Sequence, residues 1–259
     1  MFAHLCHIFD SDLENYKLEA MYLLRITSLV FALGLLMSKL FAMPVMPVQQ
    51  SWDDTNTRTY NIQPFTKIHL EGAFKVILEQ GSQAGLKIKT DEDNFKYIDV
   101  QSDAQSLSLK VIKKHFDFDE IILYITFKDL EKLEIEGGIS IETKGYIDLK
   151  DFYLHVSGGA SVEMNMKANK VRVIGEGGVK FEFDGIAEEL DASISGAGYL
   201  DAIDLKTRSC NMKIEGVGAG SIYATESLNA TISGVGKIRY KGDPKVYKKI
   251  EGVGIVSSE

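Results

Sequence analysis

The 259-residue sequence is poor in proline and cysteine, with 4 prolines and 2 cysteines. Cys6 precedes an apolar run that is typical of an export signal, so removal of that segment would leave Cys210 as the only thiol. A single thiol forms no internal disulfide and cannot build a cysteine-based zinc site. We therefore expect an apolar core without covalent staples, in which Cys210 is an ordinary small residue of the core or its flank.

Clustered positive charge is also lacking, since the net charge is −8 and the basic pairs Lys113-Lys114 and Lys248-Lys249 are short. A nucleic-acid footprint needs a broader cluster of lysine and arginine, so we expect no nucleic-acid partner. His69, His115 and His155 are scattered among apolar runs without metal-ligand spacing. The sequence thus predicts neither a metal site nor a cofactor.

Residues 26–36 form an apolar run that is shorter than the roughly 20 residues a membrane-spanning helix requires. Arg25 precedes the run and Ala42 offers a small residue for cleavage, so we interpret residues 1–42 as a signal peptide region. The acidic first twenty residues suit no leader, which points to Met21 as the true start. An uncleaved N-terminal anchor helix stays open as the alternative, and would be the only membrane attachment. Either reading predicts export to the periplasm or the cell surface of a bacterium.

After a linker at residues 43–58, the chain from 59 to 130 alternates in short apolar runs separated by turn-forming clusters. Residues 74–78 and 107–111 are examples, with apolar side chains at every second position. A period of two is the signal of a half-buried strand, and no helical period follows residue 60. Residues 59–130 are therefore predicted to form an N-terminal β part.

From residue 131 to 258 the sequence repeats. Seven times a glutamate or serine is followed by glycine, and successive units begin eighteen to twenty-one positions apart. Such a period predicts stacked structural repeats. The repeated glycines, which we take as structural corners, are Gly137, Gly158, Gly177, Gly196, Gly216, Gly234 and Gly252.

Each unit has room for three short strands and three corners, which is one coil of a single-stranded parallel β-helix (β-solenoid) with coils of about nineteen residues. Apolar residues directly before the glutamate or serine would form an inward ladder of Ile135, Val156, Ile194, Ile214, Ile232 and Ile250. In the third unit Ile174 and Gly175 precede Glu176, which we interpret as a one-residue bulge. The fold class predicted is all-β.

A corner that recurs in every coil requires positive φ or close backbone approach, which glycine supplies at least cost. A β-branched residue at Gly196 or Gly216 should therefore cost more than the ~1 kcal/mol of an ordinary glycine substitution. The residues before these glycines alternate as a surface ladder of Glu136, Ser157, Glu176, Ser195, Glu215, Ser233 and Glu251.

This alternation separates the carboxylates by ~9.6 Å if each unit is one coil, and stacks them at ~4.8 Å if two units share a coil. We favour one unit per coil because it halves the Coulomb repulsion between neighbouring carboxylates at equal dielectric. The second geometry stays open.

Three passages of the chain resemble a known family: FTKIHLEGAFKV (65–76), FKDLEKLEIEGG (127–138) and YKGDPKV (240–246), the last followed by EGVG (251–254). Over residues 59–258 the chain resembles the head GIN domain of bacterial autotransporter-type adhesins. The resemblance implies a single-stranded β-helix related to pectin-lyase-like folds, without the catalytic residues of the lyases, and a role in adhesion. Gly138-Ile139-Ser140 is the nearest match to the motif that names the family.

The function predicted is that of an exported, non-enzymatic, adhesin-like or surface-binding module, for which a glycan or another surface ligand is the expected partner. Two alternatives are a structural cell-envelope protein and a carbohydrate-active enzyme, either a polysaccharide lyase or a hydrolase. The enzyme would need paired carboxylates beside a basic residue; the group to inspect is Glu163, Glu182 and Asp184 with Lys180 or Arg172. No catalytic residue is assigned. Open coil ends also predict end-to-end self-association.

Overall fold

The computed structural model describes residues 56–112 and 121–259, which belong to one compact unit, Asp53–Glu259. The predicted signal peptide or anchor helix (1–42) and most of the predicted linker (43–58) lie outside the described residues. Within the part of the chain that is described, no helix is both long and apolar enough to cross a bilayer.

The described residues between 57 and 127 form six strands and one 3-10 helix, Glu92–Tyr97. Most of the strands follow the alternation of apolar and polar residues in the sequence, because side chains of a strand point to opposite faces in turn. The strands are β1 (Thr57–Tyr60), β2 (Lys67–Gln80), β3 (Gly85–Lys89), β4 (Ile98–Ser102), β5 (Ser106–Val111) and β6 (Ile122–Phe127).

The remainder of the chain consists of β7 (Lys132–Thr143), β8 (Ile147–Asp148), β9 (Asp151–Lys241) and β10 (Lys245–Ser258). The all-β prediction is confirmed. Strands β7, β8 and β10 each pair with β9 in parallel. Identical motifs face each other, since Gly137 lies opposite Gly158 and Gly252 lies opposite Gly234. Each of these pairings therefore joins one sequence unit to the next.

Strand β9 contains 91 residues of extended backbone, which would measure ~300 Å at ~3.3 Å per residue if the strand were straight. Its glycines instead lie close to glycines one unit earlier. A Cβ built on Gly177 would lie 2.5 Å from the carbonyl oxygen of Gly158, and one on Gly196 would lie 2.7 Å from that of Gly177. Successive units of β9 are therefore neighbours in space, with one unit per layer.

The N-terminal part joins the same sheet through β2. Glu71 lies opposite Glu136 and Gly72 opposite Gly137, in parallel register with β7. On its other side β2 pairs with β5 and β6, also in parallel. Strands β3 and β4 then add in antiparallel orientation to β6 and β5, and β1 adds to β3. Short antiparallel strands thus cover this end of the sheet.

The buried apolar side chains form one continuous cluster. Five members of the predicted inward ladder are at most 1% exposed, whereas Ile250, in the last layer, is 39% exposed. Cys210 also lies in the core, and its burial raises the pKa of the thiol.

The one-residue bulge predicted in the third unit is wrong. Val173 and Gly175 are both buried and Ile174 between them is not, so the alternation passes Gly175 without an extra residue. A Cβ on Gly175 would lie 2.8 Å from atoms of both Val179 and Phe181, and Phe181 is fully buried. The side chain missing at Gly175 is replaced by the large ring of Phe181, which keeps the core filled.

Candidate ligand-binding surface

The seven predicted corner glycines all have positive φ, between 110° and 132°. Gly216 and Gly234 follow the same geometry as Gly177, because a Cβ on either would lie 2.3 Å from the carbonyl oxygen of the glycine one layer earlier. Gly72 belongs to this column with a φ of 135°. The sequence-based reasoning missed Gly72 because the segment between β2 and β7 lengthens its spacing to the next unit.

The glutamate and serine ladder runs beside the glycine column, and neighbouring layers place Glu136 opposite Ser157 and Glu251 opposite Ser233. The hydroxyl of Ser233 and the ammonium of Lys249 both hydrogen-bond the Glu251 carboxylate. The pKa of Glu251 is lowered chiefly by Lys249, with a smaller contribution from Ser233. Ser233 therefore donates a hydrogen bond to a glutamate of the adjacent layer as well as separating two carboxylates.

Where the ladder begins, two glutamates are neighbours, since Glu71 lies opposite Glu136. The adjacent strand places Lys110 opposite Glu71, and its Nζ lies 2.6 Å from the Glu71 carboxylate. Lys110 thus offsets the repulsion at the one described step that lacks a serine. Glu71 is half-buried and the other glutamates of the ladder are exposed.

The carboxylates considered for catalysis lie on another outward face. The Nζ of Lys180 lies 2.9 Å from the Glu182 carboxylate, while Arg172 pairs with Asp191 instead, at 3.6 Å. Glu163 contributes to the field that raises the pKa of Lys180, after the larger effect of Glu182. Lys180 and Glu182 form an exposed ion pair and Arg172 pairs outside the group, so these residues do not form an enclosed pair of carboxylates beside a base.

Asp184 carries a raised pKa, first because of partial burial and then because of the carboxylates of Asp204, Asp201 and Glu182. A raised pKa in the folded state means that ionisation of Asp184 destabilises the fold at neutral pH, and that this cost disappears as the pH falls through the folded-state pKa. We expect Asp184→Asn to raise the melting temperature at pH 7 and to leave it unchanged near pH 3. Thermal unfolding followed by circular dichroism at both pH values measures this.

Asp103 provides a control of opposite sign. Its pKa is lowered, chiefly by hydrogen bonds from the backbone amides of Gln105 and Ser106. Its charged form therefore stabilises the fold above the ordinary value of 3.8, and the stabilisation is lost as the pH falls through the lowered pKa. Asp103→Asn should lower the melting temperature at pH 7. A loss of stability at pH 7 in Asp184→Asn would contradict the assignment.

A different surface carries an open groove. Val217, Val235 and Val253 occupy equivalent positions in the last three units and are 61%, 52% and 72% exposed. They line an open groove of about 520 Å³, which we name the valine groove. Its other lining residues are Gly198, Gly218, Gly236, Lys237, Gly254 and Ile255.

The valine groove arises from a change in the repeat. The first three units continue from the corner glycine as glycine and then an inward apolar residue, as in Gly137-Gly138-Ile139. The last three units read Gly-Val-Gly, which turns the apolar side chain outward and leaves bare backbone beside it. A Cβ on Gly236 would lie 3.2 Å from Ile232 Cγ2, so core isoleucines underlie the floor. Comparing units position by position in the sequence could have found this change.

Residues 56–112 and 121–259 contain few side-chain groups that could bind a metal ion or form an aromatic surface. No group of three or more histidine, cysteine, aspartate or glutamate side chains there is placed to hold a metal ion. His155 lies 3.6 Å from Glu176, and its ring is tilted by 41° against that of Tyr153, with ring centroids 6.4 Å apart. The most exposed tyrosines, Tyr146 and Tyr247, are each 51% exposed and lie in separate layers.

Comparison with solved structures identifies several similar proteins, including the following three. A putative adhesin from Bacteroides fragilis aligns with a TM-score of 0.75 at 23% identity, covering 78% of this chain and 96% of that chain. A putative lipid binding protein from Parabacteroides distasonis gives a TM-score of 0.63 at 23% identity with the same coverage. A putative adhesin from Parabacteroides merdae gives 0.53 at 25% identity, covering 78% and 95%. These similarities establish a shared fold.

No curated protein matches the sequence significantly. The family model described as putative auto-transporter adhesin, head GIN domain, matches residues 64–244, and these include most of the strands and six of the seven corner glycines. The resemblance expected from the sequence is thereby confirmed. The protein belongs to the family of putative auto-transporter adhesins with a head GIN domain.

Proposed function

We propose that the chain is a β-solenoid that acts as an exported, non-enzymatic binding module of adhesin type at the bacterial surface or in the periplasm. The parallel registers, which pair each unit with the next, support a winding with one sequence unit per coil. The column of corner glycines supports it as well, because each corner contacts the corner of the previous layer. Family membership supports the adhesin class.

The observation that carries the binding role is the valine groove. Solvent-exposed valines in three equivalent positions are costly for a soluble surface, and contiguous exposed apolar patches mark sites of interaction. Bare glycine backbone beside the valines admits close approach of a ligand. The groove offers apolar surface with a single cation, Lys237, so its ligand is an apolar chain bearing a polar or anionic end rather than a sugar ring.

A similar protein supports this ligand class. The Parabacteroides distasonis protein of the same fold is described as a putative lipid binding protein. Binding of acyl chains exposed on a cell envelope would let the module attach to a surface without catalysis. A glycan ligand would instead call for aromatic platforms, and the exposed tyrosines Tyr146 and Tyr247 do not form one within the described residues.

Titration of the purified chain with a fluorescent long-chain fatty acid tests the proposal, with a glycan array and whole-cell attachment as parallel readouts. We expect the triple variant Val217→Ser, Val235→Ser and Val253→Ser to lose binding by about tenfold or more, since each serine removes apolar contact area. Whole-cell attachment should fall in parallel.

Ile186→Ser is the matched control, because Ile186 is 53% exposed and lies in β9 outside the groove. It should bind like the unaltered chain. Unchanged fatty-acid binding and attachment in the triple variant, or binding to glycans alone, would contradict the proposal.

A further inference from the structure

The two ends of the sheet differ. Strand β10 pairs with β9 along one side, and within the described residues its other edge has no strand partner over the fourteen residues Lys245–Ser258. At the opposite end β5 and β6 cover β2, and antiparallel strands cover them in turn. An unpaired edge of this length offers a row of backbone donors and acceptors to another extended chain.

Within residues 56–112 and 121–259, no strand covers the core at the β10 edge. Val246 and Ile250 stack on Leu228 and Ile232, both of which are fully buried. Ile250 is nevertheless 39% exposed, because no further described layer lies over it. A strand added to β10 would therefore gain both backbone hydrogen bonds and apolar contact.

A lysine stands within this apolar end. Lys248 pairs in register with Ala230, which is 1% exposed, so Lys248 projects on the core side of the coil between Val246 and Ile250. Lysines 245 and 249 project on the outer side, where Lys249 pairs with Glu251 at 2.8 Å. No ion pair involving Lys248 occurs among the described residues.

The position of Lys248 selects the strand that can dock. A strand with only apolar inward residues would bury an unpaired ammonium, and the cost of that burial outweighs the benefit of covering the open core. A carboxylate opposite Lys248 would form an ion pair with the ammonium at the edge of the core and so offset the cost of burying it. The strand must also present apolar side chains two residues on either side, to cover Val246 and Ile250.

We propose that β10 is a docking edge for an extended segment of a partner protein with the pattern apolar–x–acidic–x–apolar, whose carboxylate pairs with Lys248. The pattern is symmetric, so it serves parallel and antiparallel docking equally. This inference stands on the β10 edge alone and does not require the valine groove.

A second copy of the chain fits the edge less well. Antiparallel pairing about a two-fold axis places residues of the same face opposite each other. Registers centred within Lys245–Glu251 would therefore bring two Lys248 ammonium groups into one merged core. Inward charges on edge strands oppose self-pairing in this way. The end-to-end self-association expected from the sequence is thus disfavoured by Lys248.

Fluorescence anisotropy tests the proposal with the full chain and two labelled, blocked peptides of alternating valine and threonine. One carries glutamate and the other lysine at the central inward position. We expect the glutamate peptide to bind at least about 30-fold more tightly, since a buried charge without its counter-ion loses that much affinity. Lys248→Glu should reverse the preference.

Lys249→Gln is the matched control, since Lys249 lies on the same strand with its side chain on the opposite face, and it should keep the preference for glutamate. Circular dichroism confirms that each variant is folded. Equal binding of the two peptides, no binding of either, or a preference that survives Lys248→Glu would overturn the proposal. Dimerisation of the unaltered chain through β10 in sedimentation would overturn it too.

Discussion

Gly177→Ala is expected to destabilise the protein by about 3 kcal/mol, the sum of backbone strain and a clash. The φ of Gly177 is 110°, a region that residues with a Cβ rarely adopt. The added Cβ would lie 2.5 Å from the carbonyl oxygen of Gly158, and a backbone atom within a paired layer cannot move aside. Urea denaturation should show a lower midpoint, since the change acts on the folded state.

The next residue supplies the control. Gly178 has no positive φ, and a Cβ there would meet nothing within 4 Å. Gly178→Ala should change stability by no more than about 0.5 kcal/mol, or stabilise slightly by restricting the unfolded chain. Because the two alanines differ by one position, their comparison removes effects of composition and region. Equal losses in the two variants would show that the corner geometry is not what the column requires.

The glycines that recur in the sequence are glycines with positive φ in the structure. A glycine that recurs once in every unit indicates a backbone conformation that only glycine adopts easily. The glycine is present in each unit although the neighbouring side chains differ. The same reasoning missed Gly72 and Glu71, which lie in the same layer pattern but far ahead of Gly137 and Glu136 in the chain. The segment that contains β3 to β6 separates them and interrupts the period.

The candidate site was harder to predict because it depends on which face a side chain takes. The valine of Gly-Val-Gly is one of many apolar residues in the sequence, and only the register with the layers below shows that Val235 and Val253 stack on the outside. Lys248 raises the same difficulty. In the sequence it belongs to a short basic pair, while in the structure it stands over Ala230 at the open end of the core.

In the core of the third unit, a large side chain at one position compensates for a missing side chain at another. This compensation explains why the expected bulge is absent. Gly175 leaves an inward position empty, and the ring of Phe181 occupies the space. The pattern of apolar and polar residues contains no information about side-chain volume. From the sequence alone, a glycine at an inward position is therefore interpreted as a break in register. Packing density decides such positions, and the sequence reveals it only when both residues are considered together.

Phe181→Ala is expected to cost about 3–5 kcal/mol, as for other fully buried phenylalanines replaced by alanine. Gly175→Ala alone should cost about 1–3 kcal/mol, because its Cβ would lie within 2.8 Å of Phe181 and Val179. In the Phe181→Ala background the same methyl group enters the space that the ring vacates. The contact with Val179 remains, so the double variant should be more stable than the sum of the single losses predicts by part of the Gly175→Ala loss, about 1–2 kcal/mol.

Phe183 provides the matched cycle, since it is buried and its ring centroid lies 5.7 Å from that of Phe181, yet it is not among the nearest atoms to a Cβ at Gly175. Gly175→Ala should add to Phe183→Ala within about 0.5 kcal/mol. Urea midpoints for both cycles give the coupling energies. If the losses in the Phe181 cycle add, the ring of Phe181 does not fill the space beside Gly175. Residues that share one space should instead show a coupling energy when one is made smaller and the other larger.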